Sequence, residues 1–157
     1  MSRGFAIAFC FIAVMALTMP AYTEEPVSLV VVKDIQMSKN EIYDNAILWL
    51  AESFKWSKAV IDLKDREIGT IAVNSSVDIK IYFGVGASAK FKLKIDIKEN
   101  KYRLKFSNVI MVFSTGPETP IEEAKRKYLE PKVIEKFNEI SASLESYLLN
   151  AEKNKAW

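Results

Sequence analysis

The sequence contains no histidine and a single cysteine, Cys10. Lack of imidazole excludes His-dependent triads, and lack of thiols beyond Cys10 excludes cysteine nucleophiles and zinc sites built from Cys or His. Cys10 itself follows Phe9 in the middle of an apolar run. A lipidated bacterial cysteine follows a small residue at the end of such a run, so Cys10 reads as a small apolar side chain that leaves with its segment. The remaining chain then has no disulfide, and its stability must come from its core. Glycine and proline are scarce, at five each, and charged residues make up 27%. That composition excludes collagen-like and disordered classes. Charge of one sign is lacking too: the formal net charge is +2, which implies no polyanionic partner from net charge alone, and no nucleic acid is expected.

A long membrane-spanning run is missing as well. Gly4 to Met19 is free of charge but falls short of the 18 or more apolar residues that usually cross a bilayer. Arg3 before it and Pro20-Ala21-Tyr22-Thr23 after it complete a secretory signal pattern, with cleavage expected after Thr23 or after Ala21. An uncleaved anchor is the competing reading. The expected organisation is a signal peptide at residues 1–23, one α+β domain at 24–150 and a frayed tail at 151–157, in a protein exported to the periplasm or cell envelope and soluble after cleavage. At 157 residues and 50% hydrophobic, the chain has material for one well-filled core.

Val27 to Val32 is a β-branched run that reads as a strand buried on both faces. Ser38-Lys39-Asn40-Glu41 is a capping box, and Ile42, Tyr43, Ala46, Ile47, Trp49, Leu50 and Phe54 form the apolar stripe of a helix ending near Trp56. The period then changes to two. Ala59 to Leu63 reads as a short strand, with Asp65-Arg66 as its turn. Ile71, Val73, Val77, Ile79, Ile81 and Phe83 alternate with polar residues up to the Gly84–Ser88 loop. Beyond it Phe91, Leu93, Ile95 and Ile97 alternate with Lys90, Lys92, Lys94, Asp96 and Lys98. Glu99-Asn100 is a two-residue turn into Tyr102, Leu104 and Phe106, and Val109 to Phe113 is apolar throughout, as expected of a stretch buried on both faces. Thr119 as N-cap with Pro120 and Glu122 predicts a helix start, Pro131 an interruption, and Val133, Ile134, Phe137, Ile140, Leu144, Tyr147 and Leu148 a second helical stripe ending near Asn150. The order strand, helix, four strands, helix predicts a two-layer α+β sandwich: an antiparallel meander sheet with both helices on one face and the other face open to water.

The segments Glu41-Ile42-Tyr43 through Trp49-Leu50 to Phe54, Ala59-Val60-Ile61-Asp62 with Ile68-Gly69-Thr70-Ile71, and Lys101 to Val109 resemble a family of exported bacterial domains of unknown function whose members look like the TATA-binding-protein fold. The resemblance covers roughly residues 27–113. It implies that fold and supplies no site to transfer.

Candidate chemistry is sparse. Glu122-Glu123 is a carboxylate pair, but in the first turn of a helix acids serve the dipole. Gly84-Val85-Gly86 lacks the lysine and helix of a phosphate loop. Trp49, Phe54 and Trp56 are placed as lining a pocket or, more simply, as core. The distinctive feature is a basic row: Lys80, Lys90, Lys92, Lys94, Lys98, Lys101, Arg103 and Lys105 all project to the open sheet face, with Asp78 and Asp96 among them. From these the candidate ligand-binding residues are Lys80, Lys92, Lys94, Arg103 and Lys105, with no catalytic residue, metal or cofactor expected. The simpler reading is that the lysines keep an open sheet soluble. The expected function is a non-enzymatic binding module meeting an envelope protein or an anionic envelope polymer. The alternatives are an enzyme using carboxylates or tyrosines and an assembly protein that forms a homodimer through the sheet. If the basic row is crowded by like charges, replacing Lys94 and Arg103 by glutamine is expected to leave stability unchanged or slightly raised.

Overall fold

The computed structural model describes residues 27–54, 60–81, 86–114, 116–124 and 126–154. The expected signal peptide, Trp56 and Gly84-Val85 of the expected Gly84–Ser88 loop lie outside these residues, while Gly86 to Ser88 belong to a strand and not to a loop. Among the described residues the elements are β1 (Leu29–Asp34), α1 (Lys39–Ser53), β2 (Val60–Asp65), β3 (Thr70–Lys80), β4 (Gly86–Lys98), β5 (Lys101–Phe113), β6 (Thr119–Pro120) and α2 (Arg126–Asn154). The sheet is antiparallel, in the order β1-β5-β4-β3-β2, with β6 also pairing β5. Because β1 and β2 lie at opposite edges, the chain between them must cross the sheet, and α1 carries it over the apolar face. None of the described helices is long and apolar enough to cross a membrane.

The alternation in β4 and β5 gives the expected faces. Phe91, Leu93, Ile95, Ile97, Tyr102, Leu104 and Phe106 are buried beneath the helices, while Lys90, Lys92, Lys94, Arg103 and Lys105 are turned away from them. Phe137 of α2 stacks on Phe106 with ring centroids 4.4 Å apart and meets Phe91 at 5.0 Å, so the stripe predicted for α2 sits over the centre of the sheet. Trp49 is core: it is buried, and its indole N–H donates to Ser143 Oγ at 3.1 Å, joining α1 to α2, although with Phe54 it also borders a hollow of about 270 Å³.

The helix entry follows the capping box. Ser38 N donates to Glu41 Oε2 at 2.9 Å, and Glu41 N donates to Ser38 Oγ at 3.4 Å. Glu99 of the β4–β5 turn accepts a further free helix amide, Lys39 N, at 3.0 Å. α1 ends at Ser53, and Phe54 caps it by donating its backbone N–H to Leu50 O. Gly69, between β2 and β3, has φ +80°, and its amide carbonyl accepts from Ile97 N at 2.7 Å. A Cβ there would lie 2.6 Å from Ile97 O, so glycine is required on both counts.

Several expectations are corrected. β1 is an edge strand, so only alternate residues are covered, and Val30 and Val32 are more than half exposed on the open face. β2 lies outside the helix layer. Its apolar residues Val60, Ile61 and Leu63 are all exposed. Val109 to Phe113 is not buried on both faces: Val109 and Met111 are buried, while Ile110 and Val112 are half-covered. The reason is a β-bulge. Lys92 faces Ser107 and Lys90 faces Ile110, so Asn108 and Val109 together oppose Phe91. Asn108 takes φ +54°, the left-handed conformation that asparagine tolerates better than most residues. The extra residue moves the apolar positions from even to odd numbers.

Thr119 and Pro120 do not start the last helix. They form β6 against Met111 and Ile110, and Ile121 N donates to Val109 O at 3.1 Å, so the segment is spent closing the sheet edge beyond β1. α2 starts at Arg126 and is not ended by Pro131, which sits exposed in its second turn and forgoes only one bond, to the Lys127 carbonyl. The helix continues to Asn154, four residues beyond its expected end.

Candidate binding face on the open side of the sheet

The face away from the helices is built from cross-strand rows. Val32, Arg103, Asp96 and Thr70 form one row, and Val30, Lys105, Lys94 and Ala72 the next. Ser107, Lys92 and Asn74 follow, then Ile110, Lys90 and Ser76. The alternation thus brings Lys92, Lys94, Arg103 and Lys105 together as expected. Lys80 does not join them. It lies six residues beyond Asn74 on β3, about 20 Å at the usual strand rise.

The basic row carries its own counter-ions. Arg103 donates to Asp96 Oδ2 from Nη2 at 2.6 Å and from Nε at 3.2 Å. Lys94 Nζ lies 2.9 Å from Asp96 Oδ1, to which Thr70 Oγ1 also donates at 3.0 Å. Partial burial pulls the Asp96 carboxyl upward, but the hydrogen bonds from Arg103, Lys94 and Thr70 outweigh it and hold the pKa below the ordinary carboxylate value. Lys101 is 3.8 Å from Asp34, Lys92 is 3.5 Å from Asp62, and Lys90 pairs with Glu118. Among the described residues, Lys80, Lys98 and Lys105 have no ion-pair partner. Removing Lys94 and Arg103 would therefore strip the partners from a mostly covered carboxylate rather than relieve crowding. That double replacement, which the sequence alone suggests would leave stability unchanged or slightly raised, is on this geometry expected to lower it.

The bulge shapes this face. A hollow of about 350 Å³ opens there, with Lys90, Lys92, Asn74, Ser76 and Asn108 at its lips and Ile110 on its wall. Asn74, Ser76 and Asn108 were not singled out from the sequence. The visible signal was the slip in apolar phase between Phe106 and Val109, which marks a bulge but says nothing about what collects around it. A larger hollow of about 650 Å³ at the far end of β3 and β4 has Asp78 and Lys80 as its charged groups.

Other candidate chemistry does not converge. Glu122 is tied to the chain by accepting from Val27 N at 3.0 Å, while Glu123 is exposed. Tyr102 is buried against the helices, and burial, with a smaller effect from Glu145, raises its pKa far above the ordinary phenol value. Tyr147 donates to Glu52 at 3.4 Å across the helix pair. Among the described residues no group of three acidic, histidine or cysteine side chains could hold a metal ion.

The family model of a domain of unknown function, DUF4468, with TBP-like fold matches residues 30–111. The chain belongs to this family. Its fold is also that of two solved structures. One, a DUF4468 family protein from Bacteroides ovatus, superposes with a TM-score of 0.68 at 16% identity over 78% of this chain and 86% of the other. The second, a TBP-like protein from Parabacteroides distasonis, superposes with a TM-score of 0.64 at 18% identity over 80% of this chain and 94% of the other. At those identities the likeness concerns the fold alone. No curated protein matches the sequence significantly. The matched segment contains α1, the bulge and every cation of the open face, so the family's extent coincides with the sheet and its first helix.

Proposed function

We propose that this protein is a non-enzymatic binding module of the bacterial periplasm or cell envelope, and that it meets an anionic envelope polymer on its open sheet face. One observation carries the reading: a flat, uncovered face gathers Lys90, Lys92, Lys94, Arg103 and Lys105 on adjacent strands, with Lys105 lacking an acidic partner and Lys92 holding only a long one. Lys94 and Arg103, which share Asp96, act mainly as a fixed frame, and Lys105 and Lys92 supply the charge that a ligand can take up. Export is supported by the Arg3, apolar-run and Ala21-Tyr22-Thr23 order. Intact-mass analysis of the envelope form is expected to show loss of residues 1–23 or 1–21, and recovery of the full-length chain from membranes would refute it.

The test of the binding face is retention on an immobilised acidic polysaccharide at several salt concentrations. Retention is expected to fall steeply, because the screening length shrinks from about 10 Å at 0.1 M to about 3 Å at 1 M. The K92Q/K105Q protein is expected to lose retention while melting as the parent does, since neither lysine makes a short ion pair. Retention indifferent to salt and to both replacements would reduce the lysines to a solubility device. Assembly through the sheet edge has one supporting feature, the exposed Val60, Leu63 and Ile68 around β2. The register shift at Asp62 interrupts that edge, as protective bulges do.

A further inference from the structure

We infer that the hollow at the β4–β5 bulge is a saccharide subsite that takes one uronate residue, a sugar carrying a carboxylate; this rests on the anionic-polymer reading and locates where the polymer is recognised. The lining matches that chemistry. Two ammonium groups, from Lys90 and Lys92, stand two residues apart on one face of β4 and can meet a single carboxylate. The amides of Asn74 and Asn108 and the hydroxyl of Ser76 offer both donors and acceptors, as ring hydroxyls require. Ile110, half-covered on β5, gives an apolar wall for the carbon face of a sugar ring.

The acids already present set what a ligand carboxylate must displace. Lys90 pairs with Glu118 from the segment before β6, and Lys92 with Asp62 from the irregular part of β2. Each cation is thus held at the lip of the hollow by a carboxylate from a different element, and both cations are 40–49% exposed. An incoming carboxylate would have to displace a partner into solvent, and Asp62, 3.5 Å from Lys92, is the one more loosely held. Asn108 offers a probe of the subsite. Its φ of +54° is one that glycine adopts freely, so N108G removes the lip amide without straining the bulge.

The experiment measures binding of trigalacturonate by calorimetry and by shifts of the side-chain amide resonances of Asn74 and Asn108, with its methyl ester and inorganic phosphate as comparison ligands. Trigalacturonate is expected to move both amides, with the ester binding at least tenfold more weakly and phosphate giving no saturable response. The N108G protein is expected to melt at or above the parent temperature yet bind at least fivefold more weakly, and K90Q is expected to bind at least tenfold more weakly. Equal binding by N108G and the parent, equal binding of ester and acid, or saturation by phosphate alone would each overturn the subsite. If the acidic polymer is still retained by N108G and K90Q but lost by K92Q/K105Q, the subsite fails and the face reading stands. If the parent retains no acidic polymer at all, the face reading itself fails.

Discussion

Asp96→Asn isolates the one charged group on which the open face is organised. The carboxylate accepts two bonds from Arg103, one from Lys94 and one from Thr70, at 2.6 to 3.2 Å, and its side chain is only 19% exposed. An amide of the same shape keeps one acceptor for Thr70 or Arg103 but turns an N–H₂ group toward a cation. Hydrogen bonds to charged groups contribute about 1.5–3 kcal/mol each when well covered, whereas exposed ion pairs contribute about 0.2–1 kcal/mol. The carboxylate is covered and its two cations are about half exposed, at 44% and 54%, so the low ends apply. Lys94 also faces Lys105 directly across the strands, and once Asp96 is neutral that like-charge pair adds about 0.2–1 kcal/mol. The expected loss is about 2–3 kcal/mol, or a melting point lower by roughly 6–12 °C for a domain of this size.

The pH dependence gives the mechanism its sharpest check. Asp96 has a folded pKa below its unfolded value, so its stabilisation is complete at pH values above the unfolded pKa of about 4 and is lost as pH falls through the lower folded value. The gap between parent and D96N in urea unfolding is therefore expected to stay constant from pH 8 to about 5 and to close on further acidification. Stabilities within 0.5 kcal/mol at pH 7, or a gap that persists unchanged at the acid end, would refute the reasoning. The same replacement adds one net positive charge to the face, so retention on an acidic polymer is expected to strengthen while the fold weakens. Opposite signs in the two assays separate the role of Asp96 in the fold from the role of the cations in binding.

Gly69→Ala combines an unfavourable φ of +80° with a contact of 2.6 Å to Ile97 O, and should cost at least about 2 kcal/mol in denaturant unfolding; a parent-like midpoint would show that the β2–β3 turn can shift freely. Tyr102→Phe removes a buried hydroxyl that has no hydrogen-bond partner among the described residues, so stability should be unchanged or raised by up to about 1 kcal/mol, and a loss greater than that would reveal a partner. Phe137→Ala deletes the ring stacked on Phe106 and packed on Phe91, with an expected loss of about 3–5 kcal/mol by calorimetry; a loss under 1 kcal/mol would place the core elsewhere.

The parts of the fold that were legible are those where a local rule and a tertiary demand agree. Ser38 to Glu41 has the residues of a capping box and makes both of its bonds, because the helix they start must turn from β1 back over the sheet. β4 alternates without interruption from Lys90 to Lys98, and a strand with one covered face leaves a single register compatible with that pattern. The burial of β1 was misread because β-branched runs such as Val30-Val31-Val32 show strand preference, not the number of covered faces. That number depends on neighbours, and β1 turned out to be an edge. Thr119 and Pro120 have the residue types of a helix start, yet the ladder position beside Ile110 and Met111 was vacant beyond the end of β1 and took them.

The candidate site divides along the same line. Periodicity places every lysine of β4 on one face, since the face of a residue depends on its own strand alone. Whether that lysine is free depends on residues from other elements: Asp62 on β2, Glu118 before β6 and Asp96 on β4 itself. Two of these acids reach the face through irregularities, the shifted register of β2 and the segment leading to β6, which strand patterning does not place. A charge row read as mostly basic, with Asp78 and Asp96 among its lysines, is therefore a set of short and long ion pairs with gaps. Gaps stand at Lys105 and beside the weakly held Lys92 on the side of the face toward the bulge, and at Lys98 and Lys80 toward its ends, so availability follows the placement of acids on neighbouring elements and not the lysine period.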